Sequence, residues 1–251
     1  MNGAPAILAA RGLTRRFGGL TAVSAVTLDL HVGEIHAVIG TNGAGKSTLV
    51  NMLSGELPAS EGAVMLDGED ITGISQPQRA RAGVGRSYQR TTIFPEFRVH
   101  ENCRLAAQAA WPRAWRIWEA ALRCPDSTRA ADEALRAAGL DAEGERIAGT
   151  LSHGGKRQLE IAMCLASGPR VLLLDEPLAG MGAEETARML ELLATLKATH
   201  AILLIEHDMD AVFRVADRIT VMVNGEVIAT DTPESIRNNR DVQTAYLGEG
   251  H

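Results

Sequence analysis

Cysteine is scarce in this chain: three in 251 residues, at positions 103, 124 and 164. No CxxC pair occurs, so the spacing suggests neither a zinc site nor a disulfide framework, and a reduced, cytosolic compartment is expected. Aromatic residues make up only 4%. No apolar stretch approaches the ~18 residues that cross a bilayer as a helix, so any membrane role is expected to be peripheral. Residues 1–10 (MNGAPAILAA) carry no basic segment ahead of an apolar run, and no signal peptide is expected. Excess positive charge is also lacking. The net charge is -6, which gives no overall field for a nucleic-acid partner. Internal repeats and low-complexity segments are absent.

What is present is ordinary globular composition, 45% hydrophobic and 22% charged, and a length that suits one large α/β domain. Residues 7–32 read as two strands around Gly18-Gly19. Ile35–Ile39 is a compact apolar strand running into a glycine-rich turn and then a helical stretch, Lys46–Leu53. Val64–Leu66, Asp67-Gly68 and Ile71 read as a hairpin, as do Ile219–Val223 and Val227–Ala229 around Asn224-Gly225. Between about 100 and 168 alanine becomes frequent and helix signals dominate, including a helix over Arg129–Ala138 with Gly139 beyond its end. Beyond it, the apolar strands Val171–Leu174 and Ala201–Ile205 alternate with helices over Glu184–Lys197 and Met209–Ala216. That alternation implies a mostly parallel sheet buried on both faces.

Residues 40–48 read GTNGAGKST. The pattern G-x-x-x-x-G-K-[ST] is that of a P-loop, with an apolar strand before it and a helix after it. Gly40, Thr41, Asn42, Gly43, Ala44, Gly45, Lys46, Ser47 and Thr48 are therefore the candidate nucleotide-binding residues. Glycines let backbone N–H groups wrap the phosphates, and the helix presents its positive end. Lys46 would reach the β- and γ-phosphates of ATP, and the Ser47 hydroxyl would ligate Mg²⁺. The strand Val171–Leu174 releases Asp175 and Glu176 at its carboxyl end, where ligands of such sheets bind. Asp175 is the candidate Mg²⁺ ligand and Glu176 the general base for the attacking water. Ala201–Ile205 leads similarly to Glu206-His207, which makes His207 a candidate γ-phosphate contact. Ser152, before a helical run, can cap that helix.

In this order the residues resemble the ATP-binding cassette (ABC) family across roughly 7–247. LSHGGKRQLE (151–160) is similar to the family's LSGGQ signature: Ser152 and Gly154 match, His153 replaces the first glycine of the pair, and Gly155 stands at the glutamine. The resemblance implies that Ser152 and Gly154 face ATP held by another subunit. It also implies that Phe17 stacks on adenine, and that Gln89, in RSYQRT, touches Mg²⁺ and the attacking water. Lys46, Gln89, Glu176 and His207 form the implied catalytic set; Ser47, Gln89 and Asp175 the implied metal set. The D-loop that begins at Pro177 departs from the family, because Gly182 stands where an aspartate is usual.

The implied fold is one α/β ABC ATPase domain over 7–250. A P-loop core with an antiparallel β subdomain would cover about 7–95 and 169–250, and a helical subdomain with the signature about 96–168. RRFGGLTAVS (15–24), DEPLAGM (175–181), LIEHDM (204–209) and PESIRNNRDVQTAYLGEG (233–250) further resemble the ATPase subunits of branched-chain (hydrophobic) amino-acid importers. That resemblance implies a second ATPase subunit, identical or different, two permeases, and a periplasmic or extracellular solute-binding protein served indirectly. It places the chain at the cytoplasmic face of the membrane. Uptake of urea, amides or aromatic acids, and a weakly hydrolysing regulatory module, remain as alternatives. Trp111, Trp115 and Trp118 fall on one helical face, read either as packing of the helical lobe or as a contact with permease or lipid headgroups.

Overall fold

The computed structural model describes residues 5–88, 92–110 and 124–247, with the backbone alone described at 246 and 247. Two sheets organise these residues. The first is antiparallel, in the order β2-β1-β4-β5, built from β1 (Leu8–Phe17), β2 (Leu20–Leu30), β4 (Glu61–Leu66) and β5 (Glu69–Asp70). The second contains β3 (Ile35–Gly40), β6 (Val84–Arg86), β7 (Val171–Asp175), β8 (Ala201–Ile205), β9 (Arg218–Val223) and β10 (Glu226–Asp231). Its order is β10-β9-β3-β8-β7-β6, and every pairing is parallel except β10 with β9. The α/β class with a mostly parallel sheet and an N-terminal antiparallel sheet is as expected.

Every residue of β3, β7 and β8 is buried, which explains their unbroken apolar runs. Alternation along each strand assigns the faces. Leu173, Leu203 and Ile205 pack with β1, β2 and helix α1 (Lys46–Ser54), while Leu172, Leu174, Ile202 and Leu204 pack against α6 (Ala183–Leu196) and α7 (Met209–Val215). The phosphate-loop helix thus lies between the two sheets. A third cluster joins α3 (Val99–Ala110), α4 (Pro125–Ala137) and α5 (His153–Ala166) through Cys103, Ala131, Leu135 and Leu159. Two short helices, α8 (Pro233–Arg237) and α9 (Arg240–Leu247), contribute Ile236 and Val242 to a fourth cluster with Ile39, Val212 and Val221.

Both turn dipeptides form hairpins, with positive φ at Asp67, Gly68, Asn224 and Gly225. Helix α4 begins four residues ahead of its expected start. Pro125 occupies the first turn, where its missing N–H costs nothing, and the Thr128 N–H donates to the Cys124 carbonyl at 3.2 Å. The helix α2 (Gln76–Arg81), closed by a capping box at Ser75 and Gln78, had no counterpart in the sequence reading. Trp111, Trp115 and Trp118 lie outside the described residues.

Candidate active site

Strand β3 ends at Gly40, the chain turns through 41–45, and α1 starts at Lys46. Two of the loop glycines are sterically required. A Cβ on Gly40 would strike the Met222 carbonyl of β9, and one on Gly45, at φ 95, would strike the Ala22 carbonyl of β2. The loop is also braced from outside: the Gly225 N–H donates to the Ala44 carbonyl at 3.1 Å, and the Ser24 N–H to the Gly225 carbonyl at 2.8 Å. Thr41 and Thr48 are half-buried, whereas Asn42, Gly43 and Ser47 are exposed. Lys46 is buried, and its ammonium donates to the carbonyls of Gly40 at 2.6 Å and Thr41 at 3.0 Å. Burial lowers its pKa, opposed by the charges of Glu176 and Asp175. A desolvated cation held by loop carbonyls, beneath an open glycine turn, is a seat for an anion.

Phe17 ends β1 with 47% of its surface exposed, and the Arg15 guanidinium lies 4.7 Å from its ring centre.

Asp175 closes β7 and is buried. Burial pushes its carboxyl above the usual range, against the pull of Arg86, with Glu176 adding to the rise and Lys46 opposing it. Its backbone N–H donates to the Ser87 hydroxyl at 3.3 Å, and Arg86 stands 3.9 Å from its carboxylate. Glu176 takes a left-handed conformation, φ 51, unusual for a residue with a side chain, and its N–H is held by the Ile205 carbonyl at 2.9 Å. Such strain is typical of functional positions. His207 is exposed, its Nδ1 3.9 Å from Glu176 Oε1 and equally far from Glu206 Oε2, beyond hydrogen-bond range.

Ser152 is the N-cap of α5 and accepts from the Gly155 N–H at 3.1 Å. The Ser152 hydroxyl donates to Glu185 Oε1 at 2.9 Å, and the Gly154 N–H donates to the same oxygen at 3.2 Å. These bonds, that of Ser152 first, hold the Glu185 carboxyl below its usual pKa. His153 Nε2 donates to the Ala179 carbonyl at 2.9 Å, tying the departing signature residue to the loop after Glu176. Gly182, the N-cap of α6, sits at φ -74 with open space where a Cβ would be, so the backbone does not require glycine there.

The structure brings Lys46, Asp175, Glu176 and His207 to the carboxyl ends of β3, β7 and β8. Ser152 and Gly154 instead form their bonds with Glu185. Gln89 lies outside the described residues. Sequence reasoning missed three participants. Glu206 is fully buried and accepts from the N–H groups of Leu178 at 2.8 Å and His207 at 3.3 Å; burial keeps its pKa raised despite those bonds. Arg86 joins Glu56 at 2.6 Å and faces Asp175. Glu185 occupies the signature turn. Only Glu206, next to His207 after an apolar strand, had a sequence signal.

The donor set fits a hard cation shared with phosphates. Among the described residues no cluster of three or more His, Cys, Asp or Glu could hold a metal unaided. Mg²⁺ is usually held by one or two carboxylates plus substrate phosphates, and a buried Asp175 beside the loop that carries the Ser47 hydroxyl meets that pattern.

The ABC transporter family profile matches residues 23–179, and a second profile, described as branched-chain amino acid ATP-binding cassette transporter, matches residues 226–251. The chain therefore belongs to the ABC transporter family, as one of its ATP-hydrolysing cassettes. It is 43% identical over 97% of its length to the high-affinity branched-chain amino acid transport ATP-binding protein LivG of Escherichia coli (strain K12), covering 98% of that protein. It is 41% identical over 97% of its length to the corresponding protein BraF of Pseudomonas aeruginosa, covering 98% of it. The crystal structure of the ADP conformation of an ATP-binding cassette of an ABC transporter matches with a TM-score of 0.87 at 28% identity, covering 98% of this chain and 100% of that one. A nucleotide-free cassette matches with a TM-score of 0.85 at 28% identity, covering 97% of this chain and 100% of that one. Among the described residues no helix is long and apolar enough to cross a membrane.

Proposed function

We propose that this chain binds ATP at residues 40–48 and hydrolyses it to drive uptake of branched-chain or related amino acids through partner permeases, from the cytoplasmic face of the membrane. The observation that carries the reading is the buried Lys46 ammonium beneath a sterically required glycine turn, with Asp175 and Glu176 at the carboxyl end of β7, one strand removed from β3 in the same sheet. The amino-acid class rests on the likeness to LivG and BraF and on the 226–251 match.

In this reading Phe17 supports the adenine, and Lys46 moves from the Gly40 and Thr41 carbonyls onto the β- and γ-phosphates. Ser47, Asp175 and Gln89 would hold Mg²⁺, which when bound offsets the phosphate charge. Glu176 takes the proton of the attacking water. His207, exposed and 3.9 Å from Glu176, turns toward the γ-phosphate. Ser152 and Gly154 supply donors to ATP held by a second ATPase subunit, after Glu185 has left them. We divide the chain into a core with its antiparallel sheet, 7–95 and 169–250, and a helical segment, 96–168.

The test is purification of the chain with the subunits that accompany it, followed by ATPase assays with candidate solutes. Two polytopic membrane proteins and stimulation by a branched-chain amino acid with its binding protein support the reading. Stimulation only by urea, an amide or an aromatic acid would replace the substrate. ATP binding without turnover in any assembly would replace the enzyme by a regulatory module.

A further inference from the structure

Helix α5 carries a buried ion pair at its second turn. Arg157 and Glu160, three residues apart, meet at 2.9 Å with side chains 8% and 3% exposed. Burial is the main influence on Glu160 and raises its pKa, opposed by the Thr92 N–H and by Arg157. Taking both charges out of water is costly, and an apolar pair of similar size would often serve a helix as well or better. The pair must therefore be judged by its other contacts. Arg157 donates to the Tyr88 carbonyl at 3.0 Å, and Glu160 Oε1 accepts from the Thr92 N–H at 2.9 Å. One ion pair thus holds the chain on both sides of residues 89–91.

The hydrogen bonds continue beyond Tyr88. Its hydroxyl accepts from the Gln76 side chain at 2.5 Å, and its ring lies under Arg86 at 4.9 Å. Arg86 faces Asp175, and the neighbouring Ser87 hydroxyl accepts from the Asp175 N–H. One turn ahead of the pair, Ser152 caps the same helix. A continuous set of contacts therefore runs from the signature turn, across the first two turns of α5, through Arg157 and Tyr88 to the end of β7.

We propose that the Arg157–Glu160 pair is a positioning device that sets helix α5, and with it Ser152 and Gly154, in register with the backbone at Tyr88 and at Thr92 and with Asp175. Neither residue touches substrate. The pair acts by fixing two backbone groups, and an error of about 1 Å in such a placement costs on the order of 10²-fold in rate. The inference rests on the ATPase reading above and adds the residues that join its two surfaces.

Three variants of the full chain test it. Glu160→Ala removes the acceptor of the Thr92 N–H. Glu160→Gln keeps an oxygen there. Arg157→Met with Glu160→Met replaces the buried pair by apolar side chains that keep the packing and the fold. Hydrogen exchange at Thr92 is expected to speed up by at least about tenfold in Glu160→Ala and in the double variant, and to stay near wild type in Glu160→Gln. In the assembled transporter, kcat should fall by at least about tenfold in the first and third variants, with ATP affinity of the chain unchanged. Glu160→Gln should keep most of the turnover. A double variant with wild-type melting temperature, fast Thr92 exchange and wild-type kcat would overturn the proposal, since the pair would then serve only packing. Slow Thr92 exchange in Glu160→Ala would overturn it by showing that the pair does not hold that backbone. A wild-type assembly without turnover would count against the ATPase reading instead, and the exchange arm would still decide whether the pair anchors Thr92.

Discussion

The phosphate loop and the signature turn are both helix N-termini offering backbone N–H groups, yet they stand differently in the unpaired chain. At the loop no carboxylate of the described residues bonds to Lys46, which rests on two carbonyls, and the turn is walled by Ala22 and Met222. At the signature turn the donors are engaged, because Glu185 accepts from both Ser152 and Gly154. One surface is ready for an anion, while the other already holds one from its own chain. A helix N-terminus therefore does not announce a nucleotide by itself. The lysine, the steric need for glycine and the nearby carboxylates distinguish the first from the second.

The largest expected effect falls on the phosphate side. Glu176→Gln should lower turnover by about 10²–10⁴-fold, the range for loss of a general base, and leave ATP binding intact. Steady-state kinetics beside equilibrium ATP titration checks both halves, and surviving turnover would remove Glu176 from its assigned role.

A prediction of comparable size concerns pH and a group away from both surfaces. His36 is buried and its pKa is lowered to about 4, chiefly by burial, with Arg218 and His31 adding to the effect and the Asp29 carbonyl opposing it. That carbonyl can only accept, so Nδ1 carries the proton and Nε2 accepts from the Thr220 hydroxyl at 2.8 Å. Between about pH 6.5 and 4 the unfolded chain binds this proton and the native chain does not, so stability falls as pH falls through that window. The full difference is about 3 kcal/mol. Urea melts of wild type and His36→Gln at pH 7 and pH 4 should show that extra loss only in wild type. Equal losses would contradict the assignment.

On the signature side the effects are smaller. Glu185→Gln removes a negative charge from the donors that we propose meet an incoming phosphate, so ATP-driven association of subunits should tighten a few-fold, read by light scattering. Weaker association would mean that Glu185 supports the turn in the paired state as well. Gly182→Asp should stabilise the chain by ~0.3 kcal/mol, because Asp is a better N-cap than Gly and the site has room for its Cβ. Thermal melting detects this change.

The contrast between the two surfaces also describes what the sequence could disclose. The phosphate loop is local: strand, glycines, lysine and helix are contiguous, so spacing exposes it. The Asp67-Gly68 and Asn224-Gly225 hairpins are legible for the same reason. Asp175 and Glu176 follow from the place where an apolar strand stops. Glu185 lies 33 residues from Ser152 and Glu160 lies 68 from Thr92. No periodicity links residues so far apart, and only the packed fold brings them together. Pro125 as a helix start is present in the sequence, but the expected helix is anchored on Gly139 at its far end and its start is set four residues too late.

The central claim is that this chain holds half of a working site and needs the Ser152–Gly154 surface of a second subunit. Its most direct measurement is specific ATPase activity against subunit concentration, alongside ATP affinity. The account predicts turnover per chain that rises with concentration and levels off on assembly, while affinity at the phosphate loop stays constant. Turnover per chain independent of concentration, down to conditions where the chain is monomeric, would contradict it.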